Sequence, residues 1–205
     1  MNQFDAMIAQ LRVVIDELTD MKKAGLAPAR VVFCSPVTGK TIGIHYGNVY
    51  GGDWFDATGF AKLYNSSGVS GYHTGADLNR PDYMDSGANV FTPADGVVRF
   101  AGCVQAWQGD VVVLEHMLED GAHVWTRLAH IKRDADIVAG VQIGRGQLLG
   151  VIADYNRDGP KGDHLHFDVA RIDLGAKPGD WPGADKARLL AEYIDPAAWL
   201  LERAK

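Results

Sequence analysis

Asp110-Val-Val-Val-Leu114 and Val124-Trp-Thr-Arg-Leu128, with the turn dipeptide Asp120-Gly121 between them, decide the fold. Both runs are short and rich in β-branched and aromatic residues, which suit the pleated, half-buried surface of a strand. Asp-Gly tolerates the positive φ of a tight turn, so the two runs read as a hairpin. Working outward, Val97-Val-Arg-Phe100 follows a second turn dipeptide, Asp95-Gly96, and Gly140, Gly144, Gly146 and Gly150 punctuate two further short strands. Repeated short strands with glycine turns point to an antiparallel sandwich or barrel-like β core. Helix signals close the chain: Asp185 as a cap, then Asp195 as a cap with Pro196 at the first helical position.

The first third reads differently. From residue 3 to about 24, Phe4, Met7, Leu11, Val14, Leu18 and Met21 recur in alternating steps of three and four. Ile8 and Ile15 widen the stripe, giving an amphipathic helix that Gly25 and Pro28 end. Three heptads could form a short coiled coil and hence a homodimer; a stripe this broad suits packing on the chain's own domain better. Residues 29–70 hold a strand-like run, Val31-Val-Phe-Cys34, a Pro36-Val-Thr-Gly39 turn and the aromatic, glycine-rich stretch from Tyr50 to Gly59. The expected organisation is an N-terminal helix over 1–28, an extension acting as lid or groove wall over 29–70, and the functional domain over 71–205.

Composition narrows the classes. The chain has 205 residues, 47% hydrophobic and 22% charged, values ordinary for one globular domain with an extension. A net charge of -6 argues against nucleic-acid binding through phosphate contacts. No apolar run approaches the ~18 residues of a membrane span. Asp5, Arg12, Asp16 and Glu17 interrupt any apolar core of a signal peptide. Cys34 and Cys103 leave two readings open, a disulfide in an oxidising compartment or two buried thiols.

Chemistry concentrates in His73-Thr-Gly-Ala-Asp77 and His164-Leu-His166. A lone histidine is usually a surface or satisfied core residue, and either motif alone is weak. Together they are stronger. Residues two or four apart on a strand share a face, so each pair can point into one cavity. Two imidazoles and a carboxylate form a three-ligand site whose fourth position stays open for water, the arrangement of catalytic zinc. That implies hydrolysis by a metal-activated water.

The surrounding residues resemble the lysostaphin-type (LytM-like) zinc endopeptidases, which cut peptide cross-links in bacterial cell walls. The matching stretches are Tyr72–Leu78, Thr92–Val98, Asp110–His116, Arg127-Leu-Ala-His-Ile131, Ala139–Gly150, His164-Leu-His-Phe-Asp168 and Ile194–Leu200, in the family's order and spacing. The resemblance implies a two-sheet antiparallel lysostaphin-like (duplicated hybrid motif) β core with a groove over zinc. It implies His73, Asp77 and His166 as Zn2+ ligands, with His130 and His164 as unligated catalytic histidines whose division of labour stays open. Asp168 would orient a ligating imidazole. His116 matches a histidine of the family's central strand, with a structural or supporting role. His45 and His123 read as surface residues. The chain departs from the family at Leu128, where a tyrosine is common, in the loop Asp154–Asp163, and at Asp168, where glutamate is commoner.

The implied substrate is peptidoglycan peptide, and the implied setting is the cell envelope or extracellular space, or delivery by phage. Two other functions compete. A regulatory relative would activate another wall hydrolase without cutting; such relatives lose zinc ligands, and all three are present here. A carrier domain could use the Thr92–Gly96 turn and the Val141–Gly150 stretch, but has no need of the paired metal motifs.

Overall fold

The structure, a computed structural model, describes residues 29–41, 49–66, 69–105, 107–155 and 162–204, together with Ile8, Leu11, Arg12, Ile15 and Asp16. The chain divides into two compact units, Met1–Arg30 and Val31–Lys205. In the first, Ile8, Leu11, Arg12, Ile15 and Asp16 are helical. The other residues of the expected apolar stripe, Phe4, Met7, Val14, Leu18 and Met21, lie outside the described residues, as does His45.

The second unit is mainly β, as the turn and strand signals require. Its strands are β1 (Phe55–Asp56), β2 (Leu63–Ser66), β3 (Val69–Tyr72), β4 (Ala76–Asn79), β5 (Asn89–Phe91), β6 (Gly96–Cys103), β7 (Asp110–Met117), β8 (His123–Arg133), β9 (Gln142–Ile143), β10 (Leu148–Ile152), β11 (Leu165–Ala170) and β12 (Tyr193–Ile194). The helices α1 (Lys186–Glu192) and α2 (Pro196–Arg203) close it. The main sheet runs β1-β4-β11-β8-β7-β6-β9, and β2 and β3 form a separate two-stranded sheet. Both sheets are antiparallel, and the fold is lysostaphin-like. The hairpin expected around Asp120-Gly121 is β7–β8, closed by Leu118 N donating to Ala122 O at 2.8 Å. Strand β8 is shared: Trp125–Ala129 pairs with β11, and Ile131–Arg133 pairs with β10.

Alternation along these strands builds two cores. Val112 and Leu114 of β7, Leu128 of β8, and Leu165, Phe167 and Val169 of β11 belong to the larger, with Phe33, Leu78, Val98 and Trp199. Val111, Val113, Ala129 and Ala170, one residue out of step, join Trp107, Leu174, Leu189 and Tyr193 on the other face. Burial on both faces explains why β7 reads as an unbroken apolar run. The helix signals act as expected. Asp185 accepts from Arg188 N at 2.9 Å, and Asp195 accepts from Ala197 N and Ala198 N at 2.9 and 3.3 Å.

Two expectations need correction. Val31–Cys34 is not a strand: Phe33 N donates to Arg203 O at 3.0 Å and Cys34 N to Pro93 O at 2.6 Å, bonds to two separate segments rather than a ladder. Its apolar content serves packing instead, with the Phe33 ring edge-on to His116 and Trp199. The cysteines are both free, but only Cys34 is buried; Cys103 is exposed at the end of β6.

Candidate metal centre

Strand β4 lies beside β11 in a register that sets Asp77 directly opposite His166. Gly75 permits it. A Cβ at this position would collide with Phe167 O and Asp168 Oδ1, so only glycine lets the start of β4 approach β11 so closely. His73 gets there by a different route from the expected one. It lies between β3 and β4, which belong to different sheets, so strand alternation does not place it. A bend does, anchored by His73 N donating to Lys62 O at 2.8 Å and Ala61 N donating to His73 O at 2.9 Å. His164 likewise precedes β11 rather than lying within it.

Three atoms converge at this point. His73 Nε2 lies 3.0 Å from Asp77 Oδ1, His166 Nδ1 lies 3.0 Å from the same oxygen, and the two nitrogens are 3.1 Å apart. All three residues are buried. The far side of each ring fixes its tautomer. His73 Nδ1 donates to Gly59 O at 3.0 Å, and His166 Nε2 donates to Asp168 Oδ1 at 2.9 Å. In the neutral rings, the converging nitrogens therefore carry lone pairs. Three such atoms so close to one another could hold a metal ion. Zinc bonds of about 2.0–2.1 Å in a tetrahedron imply ligand separations of about 3.3 Å, close to those found. The donor set fits zinc.

Positive charge is drawn to this point by the carboxylates behind it. Burial opposes protonation of His166, yet Asp168 and Asp77 outweigh it and raise its pKa to about 9. Burial also works against the charge on Asp77, but the His164, His166 and His73 imidazoles around it hold its carboxyl well below the usual range. Asp168 is fully buried and would be costly alone. The equally buried Arg127 guanidinium pairs with it through two nitrogens, and together with His166 holds its carboxyl low against burial. Arg127 also donates to Pro178 O and Asp180 O at 3.0 and 2.9 Å and lies 4.4 Å from the centre of the Trp107 ring.

His130 reaches the site through a bulge. Asp110 pairs with Ile131 and Val111 with Ala129, leaving His130 as an extra residue on β8. Its φ of +64° is left-handed, uncommon for a residue other than glycine. Without the extra residue, alternation would turn its side chain to the Leu128 face, into the larger core. Gly109 makes room, since a Cβ there would lie 3.0 Å from Ile131 O and 3.2 Å from His130 Cα. His130 Nδ1 donates to Gln108 O at 2.8 Å. Burial, then the His164 and His166 imidazoles, lower its pKa to about 3, so the ring is neutral.

The His164 ring is centred 4.8 Å from that of His130, and its Nε2 lies 3.4 Å from Asp77 Oδ1. Burial opposes its charge, but Asp77 raises its pKa. The sequence reading missed Tyr155. Its hydroxyl lies 2.8 Å from His164 Nδ1 and donates to Gly162 O at 3.0 Å, while its ring stacks 4.8 Å from that of His130. It comes from the departing loop, whereas Leu128, at the usual tyrosine position, faces the larger core.

Of the two residues expected to support the ligands, Asp168 touches His166 and His116 does not reach the site. His116 shares a face of β7 with Val112 and Leu114, on the larger core. It donates to Asp95 O through Nδ1 and accepts from Thr126 Oγ1, both at 2.8 Å. His123 is exposed and paired with Glu115.

The catalytic domain of the antimicrobial peptidase lysostaphin from Staphylococcus simulans is similar at 19% identity and a TM-score of 0.50, over 72% of this chain and 92% of that one. A chain of the SpoIIIAH and SpoIIQ complex is similar at 18% identity and a TM-score of 0.51, over 77% and 99%. A zinc containing peptidase from Vibrio cholerae matches at 24% identity and a TM-score of 0.48; the match covers 68% of this chain and 37% of that one. These likenesses concern the fold. No curated protein matches the chain. The sequence profile of peptidase family M23 matches residues 71–178, more than half of the chain, taking in His73, Asp77, His130, His164 and His166. The chain therefore belongs to peptidase family M23, in its LytM-like form.

Proposed function

We propose that the chain is a zinc-dependent endopeptidase that hydrolyses peptide cross-links of bacterial peptidoglycan, acting outside the cytoplasmic membrane after export or phage-type lysis. The supporting observation is the convergence of His73 Nε2, Asp77 Oδ1 and His166 Nδ1 beside two histidines whose outer nitrogens are otherwise engaged. Those three residues would hold the zinc ion, which supplies Lewis acidity, polarising a carbonyl and lowering the pKa of water to about 7. His130, neutral and with Nδ1 committed to Gln108 O, offers Nε2 to take the proton of an attacking water. His164 has Nδ1 committed to Gly162 O at 2.8 Å, leaving Nε2–H to donate to the developing oxyanion or leaving amine. Arg127 and Asp168 keep the His166 ring in its ligating tautomer.

The likeness to a chain of the SpoIIIAH and SpoIIQ complex keeps a non-cutting, partner-binding relative in play, because fold alone does not name a hydrolase. Retention of the full donor set favours the enzyme. Purified sacculi of both wall chemistries, glycine-bridged and directly linked, should release new muropeptides detectable by mass spectrometry, with His164→Ala as the blank. Activity should vanish with chelator and return with zinc. Identical muropeptide profiles from wild type and blank on both walls would leave the binding relative standing.

A further inference from the structure

Upstream of the region that matches the family profile, one turn reaches both zinc-ligand candidates of the β3–β4 segment. Strand β1 pairs with β4, setting Asp56 opposite Leu78, and Ala57 N donates to Asp77 O at 2.8 Å. Asp56 Oδ1 then accepts three backbone N–H groups: Thr58 at 3.2 Å, Gly59 at 2.8 Å and Asp77 at 3.1 Å. The turn that this carboxylate pins presents two groups to the ligands. Gly59 O takes the Nδ1 proton of His73, and the Thr58 hydroxyl donates to Asp77 Oδ2 at 2.5 Å. Asp77 Oδ1 is the oxygen that faces His73 and His166. The two carboxylate oxygens are thus divided between two tasks.

We propose that Thr58 is a positioning residue for the metal centre: its hydroxyl, set by the Asp56 turn, occupies Asp77 Oδ2 and leaves Oδ1 alone to face the cation. The inference rests on the zinc reading above. Outer partners of metal ligands hold them in the binding rotamer, and their loss typically weakens affinity about 10–100-fold. Thr58→Val keeps the side chain's shape and removes the donor, whereas Thr58→Ser keeps the donor.

The test is a competition titration of zinc between the full chain and a chromophoric chelator, with thermal melting of each metal-free protein alongside. Thr58→Val and Thr58→Ala should bind zinc about 10–100-fold more weakly than wild type, and Thr58→Ser should lie near wild type. Metal-free melting should show every variant cooperatively folded at the titration temperature, with at most the loss expected for one hydrogen bond. Equal affinity for wild type and both donor-free variants would overturn the proposal, as would a Thr58→Ser variant as weak as Thr58→Val. If wild type itself takes no zinc from the chelator, the proposed function fails and Thr58's role falls with it.

Discussion

Strands β8 and β11 present two faces that differ by one residue in phase: one lies wholly in the larger apolar core, and the other sets buried charged groups beside the smaller one. On one, Leu128, Leu165, Phe167 and Val169 are buried in an apolar core. On the other, Arg127, His166 and Asp168 are equally buried and carry charge or the capacity for it. The apolar face gains about 1.5–3 kcal/mol per fully buried large side chain by leaving water. The polar face gains little net stability, because desolvation cancels most of the attraction between its charges. Its members are instead mutually dependent, each buried charge tolerable only while its partner stays. Period-two alternation thus lets one strand pair serve stability with even positions on β8 and chemistry with odd ones, until the bulge at His130 shifts the phase.

The sharpest way to separate the faces is His130→Ala. It should cut turnover about 10²–10⁴-fold while zinc content and melting temperature stay near wild type, as expected for loss of a proton acceptor. Unchanged turnover in sacculus digestion would remove His130 from the chemistry. Next comes Arg127→Met, which leaves Asp168 buried without its cation; urea unfolding should show a loss of about 3–5 kcal/mol. A loss within error would mean the polar face is not the interdependent unit described. On the apolar face, Leu128→Ala should cost about 2–5 kcal/mol while leaving activity per folded molecule unchanged. Lost activity at full folding would blur the division.

His116 is the polar exception on the apolar face. Burial depresses its pKa from 6.5 to about 4, against smaller opposing effects from the Asp95 carbonyl, Asp95 and Glu115. Above pH 6.5 neither folded nor unfolded chain protonates it. Below that, the unfolded chain binds the proton and the folded chain does not, so stability falls as pH drops towards 4. The full loss is about 3 kcal/mol. Replacing it by His116→Gln should flatten that part of the stability–pH curve measured by urea unfolding; an unchanged slope would assign the effect elsewhere. The smallest effect expected is that of Tyr155→Phe, which removes the hydroxyl beside His164 Nδ1 and its hydrogen bond to Gly162 O but keeps the ring on His130. About 1 kcal/mol, or up to ~10-fold in turnover, should be lost, and none if the ring alone matters.

Much of this was readable in the sequence, because alternation and turn chemistry are local. Asp120-Gly121 and the runs around it form the hairpin, Asp185 and Asp195 cap helices, and the five residues named from the paired motifs and the Arg-Leu-Ala-His segment meet in one place. What escaped depends on contacts between distant segments. The bulge that turns His130 away from the core shows only in the register of β7 against β8. Tyr155 and the Asp56–Gly59 turn reach the site from loops with no periodic signature. Val31–Cys34 looks like a strand by composition, but its hydrogen bonds go to Pro93 and Arg203, which no local pattern reveals.

Metal analysis of the purified protein probes the centre at its root. After exposure to zinc and exhaustive dialysis, wild type should retain about one zinc per chain, and His166→Ala and Asp77→Ala close to none. Equal zinc in all three proteins, or none in wild type, would mean that the meeting of His73, Asp77 and His166 is not a metal centre.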